Sequence, residues 1–276
     1  MVPGPGCGYR GKENKRRTNL LTTRTGAYHN YPMTISVDYP HHPYSGAPRP
    51  LLAEALWAVA AQVRRQVMCR QKGFAVPVAA LVAAADRVLA NGQAITVSWE
   101  LGQPVHDGNG RAVLGVCETD PEVPGAALVS INGSLIAGRD DLAVSTAAHE
   151  LGHVIFDVPA ALGAPLRRYR SVTPDPAALL DKRAVASERR ANEFMGALLV
   201  PPVPLHLRLL VHAHAERLRT VNAPHRGRPG SRVLAAENPM EAIEGVIAAL
   251  AIDFGVSERF IAVRLDRYGL IQGGVG

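Results

Sequence analysis

The sequence predicts an α+β fold in which a small, mostly antiparallel three-stranded sheet accompanies a larger number of helices. Between residues 94 and 132, three short segments alternate apolar and polar residues, which is typical of strands with one buried face. Apolar residues recur at helical spacing both before and after these segments. Hydrophobic residues make up 47% of the 276 residues, which is enough to build a sizeable core.

The first 50 residues carry most of the positive charge of the chain. Of a net charge of +6, this region supplies the larger part, because it holds seven lysines and arginines against two acidic residues. Proline, glycine, tyrosine and histidine crowd the region, and no helical or strand period is visible. We therefore predict that residues 1–50 form a basic, disordered leader. A contact with nucleic acid or with an acidic partner is the alternative interpretation of the charge.

Residues 51–202 are predicted to form the core domain. Residues 51–71 place Leu52, Leu56 and Val59 on one side of an amphipathic helix. A second helix is expected over residues 77–90, with proline in its first turn and Asn-Gly at its end. Three strands follow, at residues 94–101, 111–118 and 126–132.

Residues 203–276 are predicted to form a C-terminal helical subdomain. A helix is expected over residues 203–219, followed by a Pro/Gly/Arg-rich loop over 221–239. Two further helices, 240–254 and 257–267, have the order of a helix-turn-helix. The second of them mixes acidic and basic residues, whereas a helix that reads the major groove is usually more basic. We therefore favour a helical pair that packs onto the core or binds a partner, with DNA binding as the alternative.

The segment His149-Glu150-Leu151-Gly152-His153 carries the strongest functional signal. It lies in a run in which Glu150 is the single charged residue between positions 143 and 156, as in a buried helix that follows the acids at 140 and 141 and ends before Pro159. Two histidines four residues apart project from one helix face and can bind the same zinc ion. Glu150 then lies beside the ion as general base for its bound water. The alternative is a buried helix whose histidines only form hydrogen bonds, which is costly without a cation.

The segment 187–202 is predicted to supply the third metal ligand. Ser187 is the expected N-cap of a helix, and the prolines at 201 and 202 end it. Glu188 lies on the apolar stripe of this helix and needs a partner, whereas Glu193 falls nearer the outer face. Asn192 lies one turn after Glu188 and is suited to fix a ligand histidine by a hydrogen bond. An exposed Glu188 favoured by the helix dipole, and Asn192 as an ordinary surface residue, are the alternatives.

These segments resemble the ImmA/IrrE family of metallopeptidases. The matching motifs are Val-Ser-Ile-Asn at 129–132, Thr-Ala-Ala-His-Glu-Leu-Gly-His at 146–153, the helix at 188–201 and a Phe-Gly-Val-Ser…Gly-Leu-Ile element at 254–271. The resemblance extends over most of the chain after residue 75. Gly196 replaces the usual alanine, and Arg190 replaces a common glutamate, which leaves Glu188 as the natural ligand.

The resemblance implies a gluzincin-like zinc protease with a zincin-like core, of a kind that cleaves repressor-type transcription factors in bacteria or phages. In zincins, an edge strand binds the substrate backbone by strand addition, and residues 126–132 are the candidate for this edge. An interior strand without a substrate role is the alternative. His149, His153 and Glu188 would bind Zn²⁺, although this ligand set also accepts Mn²⁺ or another divalent ion.

Cysteine content and the absence of long apolar runs restrict the cellular location that the sequence predicts. Cys7, Cys69 and Cys117 are too few and too far apart for a disulfide scaffold, and they fit a reducing cytosol. The sequence shows neither an apolar run of the length that spans a membrane nor an apolar secretory signal, so we expect a cytoplasmic protein. A zinc endopeptidase acting on a protein substrate is the favoured function. The alternative is a DNA-binding or partner-binding regulator whose metal site is structural or inactive.

Overall fold

A mixed six-stranded sheet forms one layer of the protein, whose computed structural model describes residues 34–107, 109–119, 123–162, 170–171, 181–225 and 228–273. Its described strands are β1 (Ile35–Val37), β2 (Arg87–Ala90), β3 (Gln93–Glu100), β4 (Gly115–Thr119), β5 (Ala126–Ile131) and the two-residue β6 (Arg170–Ser171). The strand order is β1-β2-β3-β5-β4-β6. The pairs β1–β2 and β3–β5 are parallel, and the other pairs are antiparallel. The α+β class is confirmed, but the predicted three-stranded sheet is too small.

Helices surround this sheet and build the rest of the described chain. They are α1 (Ala53–Val67), α2 (Val78–Ala84), α3 (Gly133–Ile136), α4 (Asp140–Phe156), α5 (Val158–Leu162), α6 (Lys182–Leu199), α7 (Pro202–Ala215), α8 (Met240–Phe254) and α9 (Glu258–Tyr268). A second, two-stranded sheet joins β7 (Thr220–His225) to β8 (Arg228–Leu234). The loop predicted over residues 221–239 is therefore wrong for most of its length.

Within the described residues no single helix has the length and apolar character to cross a membrane. The helices α6 and α7, which are bent relative to each other, have that length and apolar character only when they are taken together.

The helix predicted over residues 77–90 is wrong in its second half. Helix α2 ends at Ala84, and β2 begins at Arg87. Ala90 pairs with Gln93, so Asn91 and Gly92 form a two-residue hairpin turn in which both have positive φ. Asn-Gly is the preferred sequence for such a turn. The dipeptide therefore follows a strand and does not end a helix, as was expected from the sequence.

The predicted leader extends too far along the chain. Ile35 and Val37 are buried in β1, and Ile35 pairs with Val88 of the distant β2. Three residues are too few to show an alternating pattern, and a parallel partner more than fifty positions away leaves no local signal. The ordered chain therefore begins before residue 50, and residues 1–33 lie outside the described part of the structure.

The strand proposed as the substrate-binding edge is an interior strand. β5 pairs with β3 on one side and with β4 on the other. The next strand outward, β4, pairs with β6 only at Glu118 and Thr119. Among the described residues, Gly115 to Cys117 thus have a strand partner on the β5 side alone. The prediction that residues 126–132 form a sheet edge is therefore wrong, and the alternative of an interior strand is confirmed.

Helix α4 packs between the sheet and α6, which places the central motif in the core. Most of its side chains are buried, including Leu151, Ile155 and Phe156. The helix ends at Phe156, and Pro159 lies inside the following helix α5, so this proline does not terminate α4 as expected. A helix with so little exposed surface needs few charges, which explains its uncharged sequence.

Helix α6 begins five positions before the predicted N-cap. Asp181 is the N-cap, and its side chain accepts a hydrogen bond from the backbone N–H of Arg183. Ser187 is instead buried inside the helix.

At the other end of the chain, α9 packs on α6, since the hydroxyl of Tyr268 donates to the carbonyl of Val200. Ser257 caps α9 as predicted.

Candidate metal centre

The two motif histidines meet on one face of α4. Their Nε2 atoms are 3.1 Å apart, and the ring planes are inclined by 72°. His149 is partly exposed at this face, whereas His153 is fully buried. The four-residue spacing on a helix produces this arrangement, as the sequence predicted.

Helix α6 brings the carboxylate of Glu188 to the same point. Its Oε2 lies 3.5 Å from Nε2 of His149, and its Oε1 lies 3.3 Å from Nε2 of His153. The three potential ligand atoms all lie within 4.8 Å of one another, and no other group of this kind occurs among the described residues. The structure therefore brings together the three residues that the sequence predicted as metal ligands.

The spacing of these atoms fits a tetrahedral ion. For metal–ligand bonds of about 2.0–2.1 Å, two ligand atoms at adjacent corners of a tetrahedron are separated by roughly 3.4 Å. The two ring nitrogens are 3.1 Å apart, and the two oxygens of Glu188 lie 3.3 Å from His153 and 3.5 Å from His149, all near that value. Two imidazole nitrogens and one carboxylate oxygen are also ligand types that zinc accepts. The residues present could therefore hold a metal ion.

The charges around the rings favour a cation at this point. Burial, together with the nearby charge of His153, lowers the pKa of His149 to about 4, so this ring is neutral at pH 7. Burial also acts to lower the pKa of His153, but hydrogen bonds with Asp157 and Glu188 outweigh it and raise the pKa to about 9. The carboxylates of Asp157 and Glu188 thus stabilise one positive charge on the ring of His153. They would stabilise a divalent cation in the same way, and both imidazoles would then be neutral.

Asp157 orients His153 from behind and was missed in the sequence analysis. Its Oδ2 lies 2.8 Å from Nδ1 of His153. Ser187 donates a hydrogen bond to the same oxygen at 2.6 Å, and Arg190 donates to Oδ1 at 2.6 Å. Such a contact assigns the ring proton to Nδ1 and leaves Nε2 free for a metal. The available signal was the position of Asp157, which lies one helical turn after His153.

Asn192 lies one turn after Glu188 on α6, and its side chain is exposed at the surface of the site. It is close enough to His149 to act against the lowering of that ring's pKa, on the side from which the sequence predicted a hydrogen bond to a ligand histidine. The contact that holds a ring from outside the ligand group is thus the one between Asp157 and His153.

Glu150 lies beside the ligand group without belonging to it. It is 2% exposed, and its carboxylate faces β4. A Cβ atom at Gly115 would lie 2.8 Å from Oε1 of Glu150 and equally close to the side chain of Thr146. The glycine in β4 therefore makes room for the carboxylate between the strand and α4. A general base needs this kind of fixed, water-poor position.

The prediction that Glu193 faces outward is wrong. Its side chain is buried and accepts hydrogen bonds from Arg264 at 3.0 Å and Arg267 at 2.9 Å. The side of α6 opposite the metal ligands is covered by α1 and α9, so α6 is buried on two sides.

No protein-family model matches this sequence, and a search of curated proteins finds no match.

Proposed function

We propose that this protein is a zinc-dependent endopeptidase. The observation that carries the proposal is the convergence of His149, His153 and Glu188 within 4.8 Å. The buried carboxylate of Glu150 lies on α4, the helix that also carries the two histidines. Three protein ligands and a neighbouring acid form a hydrolytic site, whereas a structural zinc site has four protein ligands. A different divalent ion, such as Mn²⁺, is compatible with the same ligands.

Each residue has a separate task in this proposal. His149, His153 and Glu188 would hold the ion, which when bound would act as a Lewis acid and lower the pKa of a water molecule. Glu150 accepts a proton from the attacking water and delivers it to the nitrogen of the leaving amine. Asp157 and Asn192 keep the two rings oriented. The outer edge of β4 from Gly115 onward, where the described residues supply no strand beyond the pairing of Glu118 and Thr119 with β6, is the place where a substrate backbone can add as a strand.

The proposed substrate is a protein, and the resemblance to the ImmA/IrrE family favours a helix-turn-helix repressor. We propose a cytosolic location, because neither Cys69 nor Cys117 forms a disulfide within the described part of the chain. A repressor encoded beside this protein is the first substrate to incubate with it.

Replacing Glu150 by glutamine tests the proposed base. We expect Glu150→Gln to retain its fold and one zinc per chain but to lose hydrolysis by about 10²–10⁴-fold, because glutamine keeps the shape and cannot take up the proton. Metal content by mass spectrometry and cleavage of the repressor are measured on the same preparation. A variant that still cleaves at the normal rate would remove Glu150 from the mechanism.

Replacing His149 by alanine tests the ligand assignment. His149→Ala should lose both zinc and hydrolysis, because two remaining ligands hold the ion too weakly. Equilibrium dialysis against dilute zinc, followed by metal analysis, measures the loss. The matched control is His214→Ala, which removes a histidine from α7 outside the site and should keep full zinc content. Stoichiometric zinc in the His149 variant would refute the assignment.

A further inference from the structure

A large cavity with a basic lining lies next to the candidate metal centre. Its volume is about 1000 Å³, and it is bounded by the segment before α1 and by α4, α6 and α9. Its lining includes six arginines and two acidic residues, namely Arg139, Arg189, Arg190, Arg259, Arg264 and Arg267, with Asp141 and Glu193. The volume of the cavity exceeds that of any single side chain, and positively charged residues outnumber acidic ones in its lining.

The two acids of the cavity are already paired within the protein. Asp141 binds Arg139 at 3.2 Å. Glu193 binds Arg264 and Arg267. Arg190 in turn pairs with Asp157 behind the lining. Among the described residues, Arg189 and Arg259 are therefore the arginines of the lining without an acidic partner.

Several arginine groups in the cavity retain unused hydrogen-bond donors. Arg189 and Arg259 are exposed and have no hydrogen bond or ion pair with any described residue. The Nε atoms of Arg190 and Arg264 are buried without a partner among the described residues, and the side chain of Arg264 is only 6% exposed. Those two Nε atoms are too buried for a ligand to reach, so the exposed guanidinium groups of Arg189 and Arg259 are the ones that suit the cavity to an anionic ligand.

The cavity lies beside the metal ligands, which are not themselves part of its lining. Asn192 lines the cavity one helical turn after Glu188 and interacts with His149. Ser145 lines it from α4, one helical turn before His149, which corresponds to about 6 Å along the helix axis. An extended peptide advances about 3.3 Å per residue. A peptide whose reacting bond lies at the metal centre can therefore place a side chain in the cavity within a few residues of that bond.

We propose that this cavity binds an acidic segment of the protein substrate, with carboxylates paired to Arg189 and Arg259. The inference rests on the proposed peptidase function and specifies its substrate class. Substrates would carry aspartate or glutamate residues close to the cleaved bond, and the basic cavity would select them from neutral sequences. Planar guanidinium groups are well suited to bind carboxylates through two hydrogen bonds.

The test uses the full-length Glu150→Gln chain loaded with zinc, so that no probe is cleaved. Blocked hexaglutamate and blocked hexaglutamine peptides are titrated calorimetrically. We expect hexaglutamate to bind at least about tenfold more tightly than hexaglutamine, with an affinity that falls as salt rises. Adding Arg189→Glu and Arg259→Glu should lower the hexaglutamate affinity by at least about tenfold, because each reversal replaces attraction by repulsion.

A matched control separates a specific site from general attraction to a basic protein. Arg65 is exposed on α1 and lies outside the cavity lining, so Arg65→Glu should leave hexaglutamate binding nearly unchanged. Equal losses in Arg65→Glu and in the cavity variant would overturn the proposal, as would equal binding of the two peptides. Inorganic phosphate that binds as tightly as hexaglutamate would also overturn it, because the cavity would then be a site for small anions.

The zinc content of every variant separates this inference from the proposed function. If zinc binding and repressor cleavage are normal but hexaglutamate binding is not, the acidic-segment proposal alone fails. If the wild-type chain binds no zinc, the proposed peptidase function fails first.

Discussion

His153 is a buried ring whose two nitrogens have different tasks. Nδ1 contacts Asp157 at 2.8 Å, and Nε2 faces His149 and Glu188. Asp157 is itself fixed by Ser187 and Arg190. Burial acts to raise the pKa of Asp157, but the hydrogen bond with His153 and the charge of Arg190 lower it below its ordinary range. The carboxylate therefore stays ionised behind the ring and strengthens it as a ligand.

Replacing Asp157 by asparagine should weaken zinc binding by about 10–100-fold, since the ring loses its charged partner while the three ligands remain. Competition with a chromophoric chelator measures the affinity. Asp181→Asn is the control, because Asp181 caps α6 and contacts neither histidine. An Asp157→Asn variant with the zinc affinity of the control would show that this carboxylate is not needed to orient the ring.

At the level of single residues, the sequence predicted what depends on local spacing. His149, His153 and Glu150 follow from one helical turn, and Glu188 follows from an acid on an apolar stripe. Glu193 could not be placed in the same way. Its burial depends on α9, which is contributed by a segment about seventy residues later and supplies Arg264. When a helix is covered on two sides, its polar residues need not face solvent. The position of a residue around the helix therefore does not by itself predict whether it is exposed.

Gly152 controls how closely α4 approaches α6. A Cβ atom at this position would lie 3.0 Å from Cα of Ala191 and 3.3 Å from the ring of Phe194. The backbone of Ala191 cannot move without the whole helix. Because Glu188 lies one turn before Ala191 on α6, the distance between the two helices also determines whether this ligand reaches the histidines.

Gly152→Ala should therefore reduce both stability and metal affinity. Overpacking of this kind costs about 1–3 kcal/mol, and the outward shift of α6 carries Glu188 away from the rings. Urea denaturation and a zinc titration measure the two effects. Gly245→Ala on α8 is the matched control, since a Cβ atom there meets nothing within 4 Å and alanine favours a helix. Equal behaviour of both variants would contradict the close-packing argument.

Among the elements, the sequence predicted long helices better than short strands. Helices α1, α4, α8 and α9 and strands β3 and β5 have clear periods over their length and were found. β1 and β6 have three and two residues, too few for a period. The hairpin β7–β8 was missed because its residues include proline, glycine and several arginines, which resemble a loop in composition.

Across the whole molecule, Glu193 connects three parts of the chain that are distant in sequence. Its carboxylate accepts a hydrogen bond from Trp57 of α1 and ion pairs with Arg264 and Arg267 of α9. Arg264 lies directly over Gly196, where a Cβ atom would fall within 2.6 Å of its guanidinium carbon. The lack of a side chain at Gly196 thus admits this arginine. One buried carboxylate therefore links α9 to α6 and α1, in addition to the hydrogen bond from Tyr268 to Val200.

This connection predicts a pH-dependent stability. Burial acts to raise the pKa of Glu193, but Arg264, Trp57 and Arg267 outweigh it and hold the pKa below its ordinary range. Because the folded pKa is lower than the unfolded one, the contribution is fully present above the ordinary glutamate pKa of about 4.3. It is lost as the pH falls through the lower, folded value.

Glu193→Gln should accordingly destabilise the protein by roughly 3 kcal/mol at neutral pH, since it leaves a buried arginine without its charged partner. The difference from the wild-type chain should shrink toward zero as the pH falls below the ordinary glutamate range, where the native carboxyl is itself neutral. Urea denaturation at several pH values measures both curves. Glu244→Gln, at an exposed position on α8, should give a small difference throughout. A Glu193→Gln penalty that stayed constant into the acidic range would show that packing, and not the buried charge pair, holds α9 against α6.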